Sequence, residues 1–361
     1  MTEPLKQTPL HAMHVGAGAK MGGFAGYDMP LFYPLGVMKE HLHTRTSAGL
    51  FDISHMMHVE IGGLDAAACI SRLCPYEAAE QPLGSCKYTF FLNDRAGIID
   101  DLIVTNLGAD RYLLVCNAGC AEKDEAHIRA VAKDFAVEVS VVPRAFLALQ
   151  GPLAETVLTN QGIDVASMAF MTGGEPQEGW FVSRTGYTGE DGFEIGLPED
   201  EVVEFAKALV ADARVEWIGL GARDSLRLEA GLSLYGNDLD EDTTPHEAGL
   251  IWAIAKELRH DGGFIGAEAL SKAIEQGRKR MRIGLVPEGR PVRGGADLVN
   301  EAGAAVGKVT SGGFGPTLEG PMALAMVDIA AADAPIFADI RGKRIAMTRT
   351  KVPFVAHIYK K

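Results

Sequence analysis

The sequence predicts an α+β protein that ends in a separate small β domain. Three apolar, β-rich runs, KYTFFL, IIDDLIVTNL and YLLVCN, are joined by the compact turns NDRAG and GADR between Lys87 and Gly119. These runs predict a three-stranded antiparallel meander. Helical patterns lie on both sides of it. After the basic stretch QGRKRM at Gln276–Met281, short strands alternate with glycine and proline turns to the end.

The other elements follow in order around the meander. Helices are predicted at Leu64–Leu73 and Ala121–Lys133, where apolar residues recur at helical spacing. With the meander they form a compact unit over Met57–Val142. The chain continues with a helix at Leu153–Asn160, a strand at Trp180–Thr185, the turn GYTGEDG, the strand FEIGL, and helices at Glu201–Ala211 and Gly221–Ala230, the last stopped by Gly231.

Composition excludes several classes of protein. Of the 361 residues, 47% are hydrophobic and 23% are charged, which is typical of a folded globular chain and not of a disordered or fibrous one. The formal net charge of −14 repels polyanions, so we expect no nucleic-acid partner. Five cysteines without disulfide spacing indicate a reducing compartment. No leader and no run of roughly 20 apolar residues is visible, so we expect a cytoplasmic protein with no membrane span.

Familiar catalytic and metal motifs give a negative result. The sequence has no phosphate-binding loop, no G-x-S-x-G and no H-E-x-x-H, and the glycines of Gly16–Gly22 do not fit a dinucleotide fingerprint. No zinc spacing is formed by His41, His43, His55 and His58, or by Cys116 and Cys120. The acidic run Asn237–Asp242 lacks the residues of a calcium loop and is expected to be a solvated loop. We therefore predict no metal site, and we expect the cysteines to be buried small hydrophobic residues.

The doublet Asp100-Asp101 stands inside an apolar strand, where an ionised carboxylate is costly without a partner. Side chains alternate between the two faces of a strand, so only one aspartate points each way. Counting from the two turns of the meander places Asp101 opposite both Tyr88 and Cys116, with Asn117 adjacent. Tyr88, Asp101 and Asn117 are then expected to converge on a site suited to proton transfer with an amine. Alternatively, one aspartate bonds a neighbouring turn and the other is solvated.

The glycine-rich turn TGYTGEDG places Tyr187 and two carboxylates between strands, where a flat ligand ring could approach the backbone. Glu194 follows among apolar residues, and its carboxylate could accept two parallel hydrogen bonds from an amino-pyrimidinone edge. An ordinary hairpin turn is the alternative.

The helix GARDSLRLEAG stacks Arg223 and Arg227 four residues apart, which is mildly unfavourable unless anions are near. Asp224 and Glu229 could provide those anions. Alternatively, one arginine binds a ligand carboxylate or carbonyl with its planar guanidinium.

Nine segments together resemble the glycine cleavage system T-protein family, the tetrahydrofolate-dependent aminomethyltransferases. In chain order they read TPLHAMH, FAGYDMP, GLFDISHM, GIIDDLIVTN, NAGCAEKD, ALQGP, TGYTGEDGFE, GARDSLRLEAGLSLYGND and KVPFVAHIY. The resemblance runs essentially from end to end, and chance agreement over nine ordered segments is not credible.

The resemblance implies a three-domain, disc-like α+β fold with reduced folate in a central channel. The folate-binding domain would be discontinuous, formed by residues 1–56 and 143–275, with the α+β meander domain at 57–142 between them. A C-terminal β domain of small-barrel or jelly-roll type would occupy residues 282–361.

The resemblance also implies site residues. Asp101 would be the catalytic aspartate, with Tyr88 and Asn117 beside it in the folate pocket. The other folate-binding residues implied are Met56, Tyr187, Glu194, Arg223, Trp252 and Tyr359.

The implied reaction moves an aminomethyl group from the dihydrolipoyl arm of the H protein to tetrahydrofolate. Ammonia is released and 5,10-methylenetetrahydrofolate is formed, so tetrahydrofolate is a co-substrate and lipoylated H protein is the implied partner. Neither a metal nor a nicotinamide is implied. We expect Asp101 to position the folate amine and to ease proton movement while a folate nitrogen attacks the S–CH2–NH2 carbon.

Two alternatives share part of the resemblance. A folate-dependent demethylase, or a stand-alone relative of the folate domains of sarcosine and dimethylglycine oxidases, would keep much of this pocket. The intact IIDDLIVT segment and the absence of a flavin-binding region disfavour it. A folate-binding factor that supports iron–sulfur clusters would carry a cysteine in a K-G-C-Y-x-G-Q-E turn, where this sequence reads TGYTGED.

Overall fold

The computed structural model describes residues 4–360. Its α-helices are α1 (His11–Gly16), α2 (Val37–Thr46), α3 (Ala66–Leu73), α4 (Ala121–Ala132), α5 (Ala154–Asn160), α6 (Val202–Val210), α7 (Leu220–Glu229), α8 (Pro245–Ala248), α9 (Leu258–Asp261) and α10 (Ala267–Gln276).

The strands follow the same chain order. They are β1 (Lys20–Phe24), β2 (Tyr27–Phe32), β3 (Ala48–Asp52), β4 (Met57–Gly62), β5 (Cys86–Leu92), β6 (Ile98–Gly108), β7 (Arg111–Cys116), β8 (Glu138–Val141), β9 (Ala145–Gln150), β10 (Gly173–Gly174), β11 (Phe181–Ser183), β12 (Gly192–Leu197), β13 (Val215–Trp217), β14 (Arg280–Pro287), β15 (Asp297–Val299), β16 (Ala305–Gly315), β17 (Gly320–Asp328), β18 (Ile336–Ile340) and β19 (Lys343–Thr350).

A six-stranded sheet forms the centre of the chain, in the order β10-β11-β12-β9-β3-β13. Strand β3 comes from an early segment but pairs with β9, so the sheet combines two stretches of sequence separated by the meander. Strand β9 is buried along its whole length, because strands pair with both of its edges and apolar residues cover it. Each large apolar side chain fully buried there stabilises the fold by roughly 1.5–3 kcal/mol.

The meander forms part of a five-stranded antiparallel sheet with the order β5-β6-β7-β4-β8. Helices α3 and α4 pack against it and bury a core that includes Ile70, Phe91 and Ile128. The predicted meander and both flanking helices are therefore present, with ends within two residues of the expected ones.

The C-terminal strands close into a six-stranded barrel with the order β14-β17-β16-β15-β18-β19. Its interior is filled by small and branched apolar side chains, among them Leu285, Val309 and Ala338. The predicted α+β fold with a small C-terminal β-barrel is confirmed.

Helix α7 joins the two sheets to the barrel. Leu226 packs with Phe51 and Phe146 of the six-stranded sheet and with Val115 of the meander. Leu228, at a neighbouring position, packs instead against Met322 and Leu324 of the barrel. One helix therefore fixes the positions of all three sheets around a shared space.

The predicted register of the first hairpin was wrong by two residues. Phe90 pairs with Asp101, and Tyr88 pairs with Ile103. The turn accounts for one residue of this difference, since Leu92 pairs with Ile98, and a bulge at Ile99, opposite the step from Phe91 to Leu92, accounts for the other. A shift of two residues keeps every side chain on its expected face. Tyr88 and Asp101 are therefore diagonal neighbours on the same face.

The register of the second hairpin was wrong by one residue. Val115 pairs with Ile103, so Cys116 is not opposite Asp101 as expected. Next to the second turn Gly108 pairs with Arg111, two residues from the predicted register, and a bulge at Leu107 reduces the difference to one. Continuing the observed register brings Asn117, the residue after β7, alongside Asp101.

Expectations for two charged clusters also need correction. Asp238 of the acidic run is 2% exposed, and its Oδ2 accepts from Arg227 Nη1 at 2.7 Å, so that part of the run is not a solvated loop. Arg227 also donates to Asp224 at 2.9 Å, but Glu229 accepts instead from His41 at 3.0 Å. Arg227 is therefore paired with two aspartates, Asp224 on the same helix and Asp238 in the segment that follows it.

All five cysteines are free and buried, as expected. Across the part of the chain that the structure describes, no helix combines the length and the apolar character that a membrane span requires.

Candidate functional site

A cavity of about 990 Å³ opens between the meander, the six-stranded sheet and the start of the barrel. It is lined by backbone and side chains of β5, β6, the residues after β7, the glycine-rich turn, α7 and the last residues of the chain. The structure brings all nine residues implied by the resemblance into this lining: Met56, Tyr88, Asp101, Asn117, Tyr187, Glu194, Arg223, Trp252 and Tyr359.

Asp101 lies in the cavity wall between two hydrogen-bond donors. Its Oδ2 accepts from Tyr88 Oη at 2.9 Å, and its Oδ1 accepts from Asn117 Nδ2 at 3.0 Å. Burial and the adjacent Asp100 carboxylate raise the pKa of Asp101 to about 7, against the lowering effect of the two donors. A carboxyl group that titrates near neutral pH can both accept and return a proton.

Asn117 is itself held by the other member of the doublet. Its backbone N–H donates to Asp100 Oδ2 at 3.0 Å, and its Nδ2 is 2.9 Å from Asp100 Oδ1. The same Nδ2 is also 2.9 Å from the Asp101 carbonyl oxygen. The two aspartates thus point to opposite faces, as expected, and Asn117 connects them.

The opposite side of the cavity carries the charged pair Glu194 and Arg223. Glu194 Oε2 accepts from Thr185 Oγ1 at 2.6 Å, and burial raises the pKa of Glu194. Arg223 lies with its guanidinium carbon 4.8 Å from the ring centroid of Tyr187, a cation–π contact, and its buried Nη1 has no hydrogen-bond partner among residues 4–360. A buried guanidinium N–H without a partner needs an acceptor, which a ligand oxygen can supply.

Tyr187 is positioned by its hydroxyl, which donates to the carbonyl oxygen of Ser233. The two carboxylates of the glycine-rich turn are not available to a ligand in the same way. Glu190 pairs with Arg45 at 3.0 Å, and Asp191 pairs with Arg184. Of this turn, Thr185, Gly186 and the ring of Tyr187 line the cavity, whereas Glu190 and Asp191 are not among the lining residues.

Aromatic pairs form two further parts of the wall. The Trp252 ring stacks on Tyr88 with centroids 5.7 Å apart and planes at 19°, and Trp252 is 64% exposed. Tyr359 stacks on Phe170 with centroids 3.8 Å apart and planes at 5°. Stacked rings with one exposed face suit a flat conjugated ligand.

Sequence reasoning missed several lining residues. Phe170 lies in a loop without a motif, and only its stacking on Tyr359 reveals it. His55, which was considered from the sequence only as a metal ligand, is beside Met56 in the cavity lining, and its buried Nδ1 has no hydrogen-bond partner within the described residues. Burial and the charge of Arg223 lower the pKa of His55 to about 4, so its ring is neutral at neutral pH. In the sequence, only the neighbouring Met56, which the resemblance placed in the pocket, indicated that His55 would lie there.

One cluster of side chains among residues 4–360 has the proximity of a metal site. Single ligand atoms of Asp100, Cys116 and Asp124 lie within 4.8 Å of one another, and all three residues are buried. The four histidines considered from the sequence do not form such a group within the described residues.

The arrangement combines an acid–base group with a recognition surface. On one wall, a carboxyl group with a raised pKa lies between a hydroxyl and an amide. On the other wall, a carboxylate and a guanidinium face the same space from buried positions. Such a site can hold a flat ligand with N–H and C=O edges and move a proton at the far end of it.

Comparison with known proteins identifies relatives over almost the whole chain. Residues 10–257 match the family described as the GCVT N-terminal domain, and residues 280–356 match the glycine cleavage T-protein C-terminal barrel domain. The chain is 41% identical to the mitochondrial aminomethyltransferase of Flaveria trinervia over 375 residues, which covers 99% of this chain and 91% of that protein. For the mitochondrial aminomethyltransferase of Gallus gallus the identity is 41% over 374 residues, with 99% and 94% covered.

A solved structure agrees equally well. The glycine cleavage system aminomethyltransferase T from Bartonella henselae is 49% identical, with a TM-score of 0.98, and the match covers 99% of this chain and 100% of that one.

Proposed function

The chain belongs to the glycine cleavage T-protein family, and from that premise we propose that it is a tetrahydrofolate-dependent aminomethyltransferase of the glycine cleavage system. It moves the aminomethyl group from the dihydrolipoyl arm of H protein to tetrahydrofolate. The observation that carries the proposal is the Asp101 carboxyl group, held between Tyr88 and Asn117 in the wall of a large cavity. Lipoylated H protein and folate are the partners, and no nucleic acid or membrane takes part.

The reaction balances with two protons from the folate. R–S–CH2–NH2 and tetrahydrofolate give R–SH, ammonia and 5,10-methylenetetrahydrofolate, so the two N–H protons end on nitrogen and sulfur. Tetrahydrofolate supplies the nucleophilic nitrogens. Asp101 accepts a proton from the amine as the nitrogen becomes bonded to carbon, while Tyr88 and Asn117 keep its two oxygens in place.

Glu194 and Arg223 are proposed to bind the pterin end of the folate. The Glu194 carboxylate is the acceptor for paired N–H groups of the aminopyrimidinone, and Arg223 Nη1 donates to its carbonyl oxygen. The fit rests on the buried Nη1 atom, for which the described part of the chain provides no acceptor. Tyr187 holds that guanidinium over its ring.

The remaining residues are proposed to enclose the ligand. Met56, Trp252 and Tyr359 contribute apolar surface to the cavity, and Tyr359 is braced by Phe170. The proposed reaction consists of nucleophilic attack and proton transfer, and in this proposal Asp101 and the folate amine carry both without a metal ion.

The domain division and the location in the cell stay proposals. Residues 1–56 with 143–275, residues 57–142 and residues 282–361 are proposed as the three domains, supported by the separate cores of the two sheets and the barrel. A cytoplasmic location is supported by the five free, buried thiols, whereas the relatives compared above include proteins named mitochondrial. Fractionation of the source cells decides between the two compartments.

Ammonia release tests the proposed function. Purified protein is mixed with aminomethylated H protein in the presence of EDTA, with and without tetrahydrofolate, and ammonia is measured over time. We expect release that depends on both folate and the lipoylated carrier. Tight folate binding without release from this carrier would contradict the proposal and favour a demethylase or a folate-binding accessory protein.

Replacing Arg223 by Met separates ligand binding from stability. The variant keeps the apolar stem of the side chain but removes a half-buried guanidinium whose Nη1 has no partner among the described residues. We expect the Kd for tetrahydrofolate to rise about 10–100-fold, since a hydrogen bond to a charged group contributes about 1.5–3 kcal/mol. The Tm should change little, because the loss of the contact with the Tyr187 ring is offset by removal of a desolvated N–H group.

Arg95 provides the matched control for that variant. It is an exposed arginine on the first meander turn, paired with exposed Asp242, and Arg95→Met should change neither the Kd nor the Tm. A lower Tm for R223M with an unchanged Kd would assign Arg223 a structural role instead.

A further inference from the structure

A buried carboxyl group behind the site is not used by the mechanism above. Asp124 is fully buried in the first turn of α4, and neither of its oxygens has a hydrogen-bond partner within the described residues. One of its oxygens lies within 4.8 Å of an Asp100 oxygen and of Cys116 Sγ. A buried acid without a donor or a cation is costly, so its presence requires an explanation.

Two ionised carboxylates cannot share such a site without compensation. The titratable and charged groups that face Asp124 are Asp100, Asp101, Cys116, Cys120 and Lys123. Lys123 is engaged elsewhere, since its Nζ donates to Tyr235 Oη at 2.7 Å and to Glu241 at 3.0 Å. The thiols stay neutral, because burial and the aspartates raise the pKa of both Cys116 and Cys120. A proton shared between the carboxyl groups is the compensation that these residues themselves can supply.

Asp124 is the member of the pair suited to carry that proton. Burial and the negative charge of Asp100 raise the pKa of Asp124. Asp100 already accepts two hydrogen bonds from Asn117, whereas Asp124 accepts none within residues 4–360. A protonated Asp124 would therefore be the donor and Asp100 the acceptor.

The position of that proton affects Asp101 through Asn117. Asn117 Nδ2 carries two hydrogens but has three acceptors within 3.0 Å, on Asp100 and on the carbonyl and carboxylate of Asp101. The acceptors compete, so the hydrogens favour the oxygen with the greater negative charge. When Asp100 receives a hydrogen bond from Asp124, the Asp100 carboxylate attracts the Asn117 amide less strongly. The amide then donates to the Asp101 carboxylate instead.

We propose that Asp124 is a positioning residue that donates its carboxyl proton to Asp100, so that Asn117 holds the Asp101 carboxylate in place for reaction. This inference rests on the proposed function only for its effect on turnover. The chain of contacts Asp124–Asp100–Asn117–Asp101 exists without a ligand and can be tested without one.

Three variants test the proposal by activity. Asp124→Leu removes the donor but keeps the branched arrangement of heavy atoms, Asp124→Asn keeps an N–H donor toward Asp100, and Glu122→Leu removes an exposed carboxylate from the same helix turn as the control. For D124L we expect kcat for ammonia release to fall roughly 10-fold or more, with little change in KM for folate. The acidic limb of the pH profile of kcat for D124L should move to higher pH by about one unit, because Asp101 loses a stabilising donor.

The conservative variant distinguishes a proton donor from a charged residue. D124N should retain most of the activity and the pH profile of the unchanged protein, as should E122L. Wild-type kcat and pH profile in folded D124L would overturn the proposal. So would a D124N variant as impaired as D124L, because the ionised acid would then be required.

Infrared spectroscopy of the ligand-free protein provides a test that does not depend on activity or on the folding of D124L. The difference spectrum of wild type minus D124N at neutral pH should show the carbonyl stretch of one protonated carboxyl group, which shifts in D2O. Loss of an ionised carboxylate band instead would overturn the proposal. If wild-type protein releases no ammonia, the proposed function fails, while this spectrum still decides the state of Asp124.

Discussion

Asp101→Asn is expected to lower kcat for ammonia release about 10²–10⁴-fold, the usual contribution of a positioned acid–base group. The amide of the variant has nearly the same shape as the carboxyl group. Tyr88 Oη, which lies 2.9 Å from Asp101 Oδ2 in the unchanged protein, can still donate to the amide oxygen. The amide cannot take a proton from the amine. Steady-state kinetics with aminomethylated H protein and saturating folate measure the effect.

The same variant should be no less stable than the unchanged protein. The pKa of Asp101 is raised to about 7 in the folded state, from an ordinary value near 3.8, so ionising it opposes folding. The contribution of the protonated group to the free energy of unfolding is therefore lost as the pH rises from about 4 to about 7. D101N has no ionisable group at this position and does not lose stability over this range. Asp94→Asn, on the exposed first turn of the meander, is the matched control and should leave both kcat and Tm unchanged. A D101N enzyme with most of its activity would refute the assignment of Asp101.

The meander was predictable because its signals are local. Alternating apolar runs and short turns define β5, β6 and β7 to within a residue or two, and the face of each side chain follows from alternation. The two bulges were not visible, since a bulge is chosen by packing and not by the turn residues alone. The convergence of Tyr88 with Asp101 survived this error only because the shift was two residues.

The rest of the site depends on contacts between distant segments. Phe170 and Tyr359 stack although 189 positions separate them in the sequence, and no local pattern indicates this pairing. Asp238, the second partner of Arg227, was missed for the same reason, because it is held by Thr310 and Ser311, which are 72 and 73 residues away in sequence. Of these residues, the resemblance to a family supplied only Tyr359.

Asp238→Ala is expected to destabilise the protein by about 3–5 kcal/mol, the usual effect of removing one partner of a buried ion pair. Asp238 Oδ2 accepts from Arg227 Nη1 at 2.7 Å, from Ser311 Oγ at 2.8 Å and from the Leu234 backbone N–H at 3.0 Å. Arg227 is 1% exposed, so the variant leaves its charge buried, with the more exposed carboxylate of Asp224 still paired to it and with Ser311 and the Leu232 carbonyl as neutral acceptors. Guanidinium unfolding monitored by fluorescence measures the loss.

Two further variants show whether the buried charge is the cause. Asp242 belongs to the same acidic run but is 80% exposed in its pair with Arg95, so Asp242→Ala should leave the unfolding curve unchanged. The double variant Arg227→Met with Asp238→Ala removes both charges, and it should be more stable than Asp238→Ala alone. The alternative result is that the loss in free energy of unfolding for the double variant equals the sum of the losses for the two single variants. In that case the packing of α7 against the barrel, and not the unpaired buried cation, accounts for the loss.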